Sequence, residues 1–375
     1  MLSNEHLFNY PQEGIASLTS LANTLRISES LLMELANNSN KYYRLARRIV
    51  KEDGTERLTY DALPPLKETL TRLRIRVLDK AILPTYVAAG ICGQSYVDNA
   101  KLHAGSKAIL SEDIKNFFPQ IKMQHVKDVF KYLYKMPDDV ALIVAKLCTR
   151  NDYLVQGSPI SGSVANVIFF RKEPQLVQQL ESRGLTYSRY YDDVNISTKD
   201  SDFSDDIGFI RSMVYGMFKS LDLEPHQSTK KSKFVKAGYR MSIHGITVNN
   251  QEISPSKKRV SETRAMLFKM EKLLANSYTV DDVITLYRSI RGKIQTLKIQ
   301  GHKKTADLES RLMWLVKLID EPLAKRFARG MRKVKTRKEF NQFASKLAVL
   351  KKIHPRVSIV IKAESEQAKI RITHQ

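Results

Sequence analysis

The chain has 375 residues, 62 of them Lys or Arg against 39 Asp or Glu, for a formal net charge of +23. That excess points to a polyanionic partner, nucleic acid first and an anionic membrane surface second, with a basic surface that merely solubilises as the plain alternative. A hydrophobic content of 42% excludes a disordered chain; no apolar run is long enough to span a bilayer, so no membrane partner is expected. Only Cys92 and Cys148 are present, which excludes a disulfide scaffold or a cysteine zinc site and fits a reducing cytoplasm. The opening "MLSNEHLFNYPQEG" does not read as a secretory signal.

Residues 1–40 read as polar helix with Ser and Asn breaks. "YYRLARRIV" and "ERLTY" flank "KEDGT", a strand, turn and strand. The prolines of "LPPLKETLTRLRIRVLDKAIL" open a helix with apolar residues at Leu66, Leu70, Leu73, Val77 and Leu78. "SKAILSEDIKNFFPQI" is a strand ending in an acid, and two amphipathic helices follow, "MQHVKDVFKYLYKM" and "PDDVALIVAKLCTR". "SPISGSVANVIFFRKEPQLVQQLESRG" predicts one long helix, "LTYSRYYDDVNIST" a hairpin, "DDIGFIRSMVYGMFKSLDLE" a helix and "YRMSIHGITVNNQEIS" a strand pair. From Lys257 onward the pattern is helical and basic, with a strand expected at "VSIVIK". The alternation predicts an α+β fold, an antiparallel sheet with helices on one face, followed by a separable helical part.

Asp113 closes an apolar strand, and Asp192 and Asp193 lie at a hairpin tip. Adjacent like charges repel, and burial raises the cost. Either the tip is an exposed polar turn, or the two strands are neighbours and three carboxylates converge on a cation. Oxygen-only ligands favour magnesium. Two such ions, roughly 3.5–4 Å apart, activate an attacking hydroxyl and steady the leaving oxygen in phosphoryl transfer.

Three segments together resemble the reverse transcriptases. "YYDD", Tyr190 to Asp193, resembles the Tyr-x-Asp-Asp box; "DIKNFF", Asp113 to Phe118, resembles the first catalytic box; "QGSPISGSVAN", Gln156 to Asn166, resembles the Gln-Gly-x-Pro-x-Ser segment. All three stand in the family's order. The resemblance implies a right-hand polymerase: an N-terminal extension over 1–40, fingers over 41–105, a palm over 106–250 with inserted fingers helices at about 122–155, and a basic helical thumb and tail over 251–375. It implies that Asp113, Asp192 and Asp193 are catalytic and hold two Mg2+ ions, with Mn2+ as a substitute, and that the Ile114 carbonyl is a further ligand. Phe118 would lie under the sugar of the incoming dNTP, Gln156 and Gly157 against the nucleotide, and Arg57, assisted by Lys51, on its triphosphate. Lys230 or Lys231 would match a downstream Lys box whose Asn is missing here.

"NAKLH", Asn99 to His103, resembles the Asn-Ala-x-x-His element of bacterial retron reverse transcriptases and reads as structural or RNA-contacting. Their Val-Thr-Gly box and following Asn correspond to Ile243–Asn249, where Gly245 and Asn249 remain but Val-Thr has become Ile-His. The retron resemblance implies a cognate noncoding RNA as template and 2′-hydroxyl primer. It implies a branched RNA–DNA product (msDNA) and an antiphage role beside a separate effector protein. Arg326, Arg329, Arg332, Lys333, Lys335 and Arg337 are candidate RNA phosphate contacts, or else a solvated helix face. Two alternatives stand beside this reading, an abortive-infection-type reverse transcriptase and a catalytically silent RNA-binding scaffold.

Overall fold

The computed structural model describes residues 4–50, 54–200, 203–229 and 231–373. It contains two compact units, Met1–His244 with Val248–Gln251, and Gly245–Thr247 with Glu252–Gln375. Among the described residues, no helix is long and apolar enough to cross a membrane.

The first unit mixes helix and sheet. It begins with α1 (Leu18–Leu25) and α2 (Glu29–Asn37), capped by Ser17 and Ser28, whose side chains accept from the amides of Ser20 and Leu31. Leu21, Leu25, Leu32 and Leu35 are fully buried in the unit's single core, so this stretch is built into the unit and not appended to it. The expected hairpin is β1 (Tyr43–Val50) and β2 (Glu56–Ala62), antiparallel, and its Lys51 lies outside the described residues. The helix after the prolines is α3 (Leu66–Arg76), and α4 (Tyr96–Leu102) opens on a capping box of Ser95 and Asp98.

The central sheet is formed by β3 (Ala108–Asp113) and three later strands. Between them come α5 (Phe117–Gln120), α6 (Met123–Asp128), α7 (Asp138–Cys148), and a short strand pair that the sequence reading missed, β4 (Thr149–Arg150) and β5 (Tyr153–Leu154). The long helix expected over 158–184 is two helices, α8 (Ser161–Val167) and α9 (Glu173–Glu181). The chain turns between them, and Pro174, which cannot donate to a preceding turn, stands in the first turn of α9. Then follow β6 (Thr186–Tyr190), β7 (Asp193–Thr198), α10 (Ile207–Lys219) and β8 (Lys233–Lys236), in the all-antiparallel order β6-β7-β3-β8. The strand pair expected over 239–254 is reduced to two-residue strands, β9 (Ser242–Ile243), β10 (Ile246–Thr247) and β11 (Ser254–Pro255).

Side chains alternate across this sheet. The register sets Tyr187, Ile196, Leu110 and Phe234 side by side, and the same parity carries Arg189, Val194 and Glu112. That face meets α9 through Glu173 and α10 through Arg211 and Tyr215. The opposite parity carries Ser188, Asn195 and Ser111, then Tyr190, Asp193 and Asp113 at the end.

The second unit is helical after its β10–β11 pair: α11 (Lys257–Ala275), α12 (Val280–Ile299), α13 (Thr305–Val316), α14 (Glu321–Arg329), α15 (Arg337–Ile353) and α16 (Ser358–Thr373). Ile284, Ile290, Ile294, Leu315, Leu350 and Val357 form its core. The strand expected at 357–362 is the start of α16. Burial of Val357 and Ile361 in that core overrides the β-preference of the Val-Ile run.

Candidate active site

Three carboxylates converge because of one register. Asp113 at the end of β3 pairs with Asp193 at the start of β7, and Asp193 with Tyr190 of β6. The turn between β6 and β7 is therefore only Tyr191 and Asp192, and the carbonyl of Asp192 accepts from the amide of Ile114 at 3.2 Å. Asp113 is buried, and its Oδ2 accepts from Lys231 Nζ at 2.8 Å. Lys231, one of the two lysines the sequence left open, lies at the carboxylates; Lys230 lies outside the described residues. Burial works against the charge on Lys231, but the hydrogen bond and charge of Asp113, with Asp193 and Asp192, outweigh it and raise its pKa.

Burial, then the charge of Asp113, raises the pKa of Asp192. Burial, the charge of Asp192 and a hydrogen bond with Asp113 push Asp193 up to about 7. A carboxyl held above its ordinary value favours the folded state while protonated. That contribution fades as pH rises from about 3.8 through about 7. In chelator, Asp193→Asn is therefore expected to raise the melting temperature at pH 8 and to leave it unchanged at pH 4, with the pH 8 difference shrinking as Mg2+ is added. Thermal unfolding of both proteins checks this.

The turn is held by groups that motif reading passed over. Tyr191 has φ 58°, a region that costs a bulky residue about 1–3 kcal/mol. Its hydroxyl lies against two glycines. A Cβ on Gly90 would stand 2.2 Å from it, and one on Gly162 2.9 Å. Arg189, fully buried, donates to both oxygens of buried Glu173 at 2.6 and 2.8 Å, to the carbonyls of Ala165 and Asn166, and to that of Tyr191 at 3.3 Å. Tyr187 donates to the same Glu173 at 2.8 Å. Beside Asp113, buried Glu112 accepts from Arg211, Tyr215 and Ser232 at 2.8, 2.9 and 2.6 Å. Tyr191, Gly162, Arg189 and Glu112 lie inside or next to the motifs, whereas Gly90, Glu173, Arg211, Tyr215 and Ser232 carry no local sequence signal.

Arg57 on β2 reaches this region. With the Gln156 amide oxygen turned toward it, Gln156 accepts from Arg57 Nε at 2.8 Å and Nη2 at 2.5 Å, and the charge of Arg57 counts among those lowering the pKa of Asp192. Gly157, at φ 104°, approaches β2 so closely that a Cβ would stand 2.8 Å from the carbonyl oxygen of Tyr60. Phe118 is half-buried, 5.5 Å from the ring of Phe117 and 6.2 Å from that of Tyr191.

The residues expected at RNA divide differently. His103 is fully buried, with Nδ1 and Nε2 each 2.7 Å from a serine hydroxyl, Ser197 on β7 and Ser188 on β6. Both ring nitrogens are committed to the sheet, so of its two readings the structural one fits. Asn99 is 1% exposed, too enclosed for an RNA contact without rearrangement. Asn249 closes its own loop, accepting from the amide of Met241 and donating to the carbonyl of Tyr239, both at 2.8 Å. In the second unit Gly245, at φ 76°, lies against the guanidinium of Arg259. Arg326, Arg329, Lys333, Lys335 and Arg337 are exposed. Arg332 is also exposed, and its Nε and Nη2 donate to Glu364 of α16 at 2.6–2.9 Å.

Among the described residues, no group of three or more His, Cys, Asp or Glu side chains is arranged so that it could hold a metal ion. The donor chemistry nevertheless fits a hard cation. The converging ligands are carboxylates alone, their pKa values are raised by burial and mutual charge, and a lysine faces them.

Comparison with known proteins finds reverse transcriptases among those the chain is similar to. No protein-family model matches it. It is 26% identical over 308 residues to the Retron Se72 reverse transcriptase of Salmonella heidelberg, covering 82% of this chain and 81% of that protein. It is 25% identical over 311 residues to the Retron Ec48 reverse transcriptase of Escherichia coli, covering 80% and 76%. The Retron Ec86 reverse transcriptase of Escherichia coli matches at 25% over 255 residues, covering 67% and 77%. The resemblance read from the motifs therefore holds: this chain is a relative of the retron reverse transcriptases. Among solved structures, telomerase from Candida albicans with a fragment of telomeric RNA matches at 13% identity and a TM-score of 0.35, over 73% of this chain and 51% of that one, too weak to carry an argument.

Proposed function

We propose that this protein is a reverse transcriptase that copies a cognate structured noncoding RNA from a 2′-hydroxyl of that RNA, yielding a branched RNA–DNA hybrid. The observation that carries the reading is the pairing of Asp113 with Asp193, which gathers three carboxylates beside Asp192's turn, in a relative of retron reverse transcriptases. In this reading residues 41–105 are fingers, 106–250 a palm and 251–375 a thumb.

Asp113, Asp192 and Asp193, with the Ile114 carbonyl, would hold two divalent cations, Mg2+ by donor chemistry. Bound there, the cations would supply activation of the primer hydroxyl and charge stabilisation at the transferring phosphate. The chain's own groups do the rest. Arg57, steadied by Gln156, offers its fork to the triphosphate. Lys231, which donates to Asp113 at 2.8 Å, would offset negative charge at the carboxylates. Phe118 would lie under the sugar of the incoming nucleotide, where its ring would exclude a 2′-hydroxyl and select dNTPs. Arg326, Arg329, Lys333, Lys335 and Arg337 present charge to RNA phosphates. A separate effector completes an antiphage system in this reading, in a cytoplasmic setting.

The test is co-expression of the gene with its native flanking DNA, followed by extraction of small nucleic acids. The expected result is a DNA band that survives RNase and shifts on treatment with a debranching enzyme. A DNA product with no branch, or one of untemplated sequence, would favour the abortive-infection type. No DNA at all would leave a silent RNA-binding scaffold.

A further inference from the structure

The Tyr190 side of the catalytic hairpin carries a contact that neither the metal chemistry nor the motifs account for. His244 stands at φ 50°, in the left-handed region. Its ring meets that of Tyr190 at 4.6 Å between centroids and 61° between planes, an edge contact of the favourable kind. Its Nε2 lies 2.9 Å from Nδ2 of Asn99 on α4. Asn99 is buried, and its Oδ1 has no hydrogen-bond partner. An enclosed amide with one atom unsatisfied costs stability. An arrangement that tolerates this cost at Asn99 and a left-handed backbone at His244 fixes one geometry rather than many. Tyr190 is the residue paired with Asp193, so whatever fixes its ring fixes the strand from which the two aspartates project.

We propose that His244 is a positioning residue: it braces Tyr190 against Asn99 and so holds the Asp192–Asp193 turn in register with Asp113. Burial supports the bridge by lowering the pKa of His244 to about 4, which keeps the imidazole neutral, the form whose Nε2 can accept from Asn99. The Val-Thr-Gly pattern sets a threonine at this position, which has no ring to meet Tyr190. The brace thus belongs to this chain's own Ile-His departure. Asn99 gains a role as well, as the anchor of the brace inside the unit.

The inference rests on the polymerase reading for its kinetic consequence but not for its structural one, and the experiment reads both. His244→Gly and His244→Asn tolerate the left-handed backbone and remove the ring. In full-length protein, both are expected to lower kcat for single-nucleotide addition about tenfold, with KM for the dNTP unchanged; that fold corresponds to about 1.4 kcal/mol of positioning. Asn99→Ala should lower kcat in the same direction, and the Asn99→Ala/His244→Gly double variant should lose no more than His244→Gly alone. Amide hydrogen exchange, measured without nucleotide, should quicken at Arg189–Asp193 in the variants and not in β3. Unchanged exchange at the hairpin overturns the brace, whether or not the protein polymerises. A loss spread over kcat, KM and melting temperature together also overturns it, since that marks a general packing residue. A wild-type protein that extends no primer retires the polymerase reading alone, and the exchange result still decides the brace.

Discussion

Replacing Asp192 with Asn is expected to lower DNA synthesis about a thousandfold, ~4 kcal/mol of transition-state stabilisation, the scale on which a site loses a preorganised charge-stabilising group. The substitution keeps the shape of the side chain and removes its charge. Asp113 and Asp193 remain, but a pair of carboxylates already answered by Lys231 at 2.8 Å is a poor cage for a divalent ion. The fold should not suffer. Burial and the charge of Asp113 both raise the pKa of Asp192, so its ionised form is a burden on the metal-free protein near neutral pH. The variant should melt at or above the wild-type temperature and bind RNA as the wild type does. Primer extension, thermal unfolding and RNA binding on the same preparations check the three parts. Synthesis at wild-type rate would remove Asp192 from the site.

Glu173→Ala is expected to cost about 3–5 kcal/mol of stability, the loss typical when one partner of a buried ion pair is removed. Domains of ordinary stability have about 5–15 kcal/mol to lose, so the variant should unfold early in urea and be inactive for that reason. Both side chains of the Arg189–Glu173 pair are wholly buried at 2.6 Å, and Tyr187 loses its acceptor as well. The uncompensated guanidinium of Arg189 then sits under the turn whose Tyr191 carbonyl it binds. Urea unfolding of the wild type and of Glu173→Ala measures the cost. Replacing Glu173 and Arg189 together with apolar residues of similar volume should recover much of it, because the penalty lies in the orphaned charge. A cost below that of an exposed ion pair, about 1 kcal/mol, would contradict the assignment.

The sequence made the elements of the central sheet legible because β3, β6 and β7 alternate or run apolar to a sharp end. It also placed Asp113 and the Asp192–Asp193 pair at those ends. It could not tell that Asp113 and Asp193 would be opposite one another, since register is fixed by the packed face, here Leu110, Ile196 and Tyr187. β8 was missed because "KFVK" is a short, basic edge strand with little pattern of its own. The split between α8 and α9 was hidden by continuous helical spacing, and the helix at 358–373 by local β-branched residues whose burial decided otherwise. In the site, motif spacing found the carboxylates, Arg57 and Gln156. It did not find what holds them, because Glu173, Gly90 and His244 act across sequence distances that no local motif spans. His103 was recognised, but its two serine partners lie on strands far along the chain, and only they show it to be part of the sheet.

The central claim is that the three carboxylates make this chain an RNA-copying DNA polymerase. The most direct test is extension of a labelled DNA primer annealed to an RNA of defined sequence, with purified protein, four dNTPs and Mg2+, sampled before and after chelation. The account predicts a product whose sequence is the complement of the RNA, formed with dNTPs in preference to rNTPs, stopped by chelator and restored by Mg2+ or Mn2+. A product that ignores the template, or synthesis that continues at full rate in chelator, would contradict it.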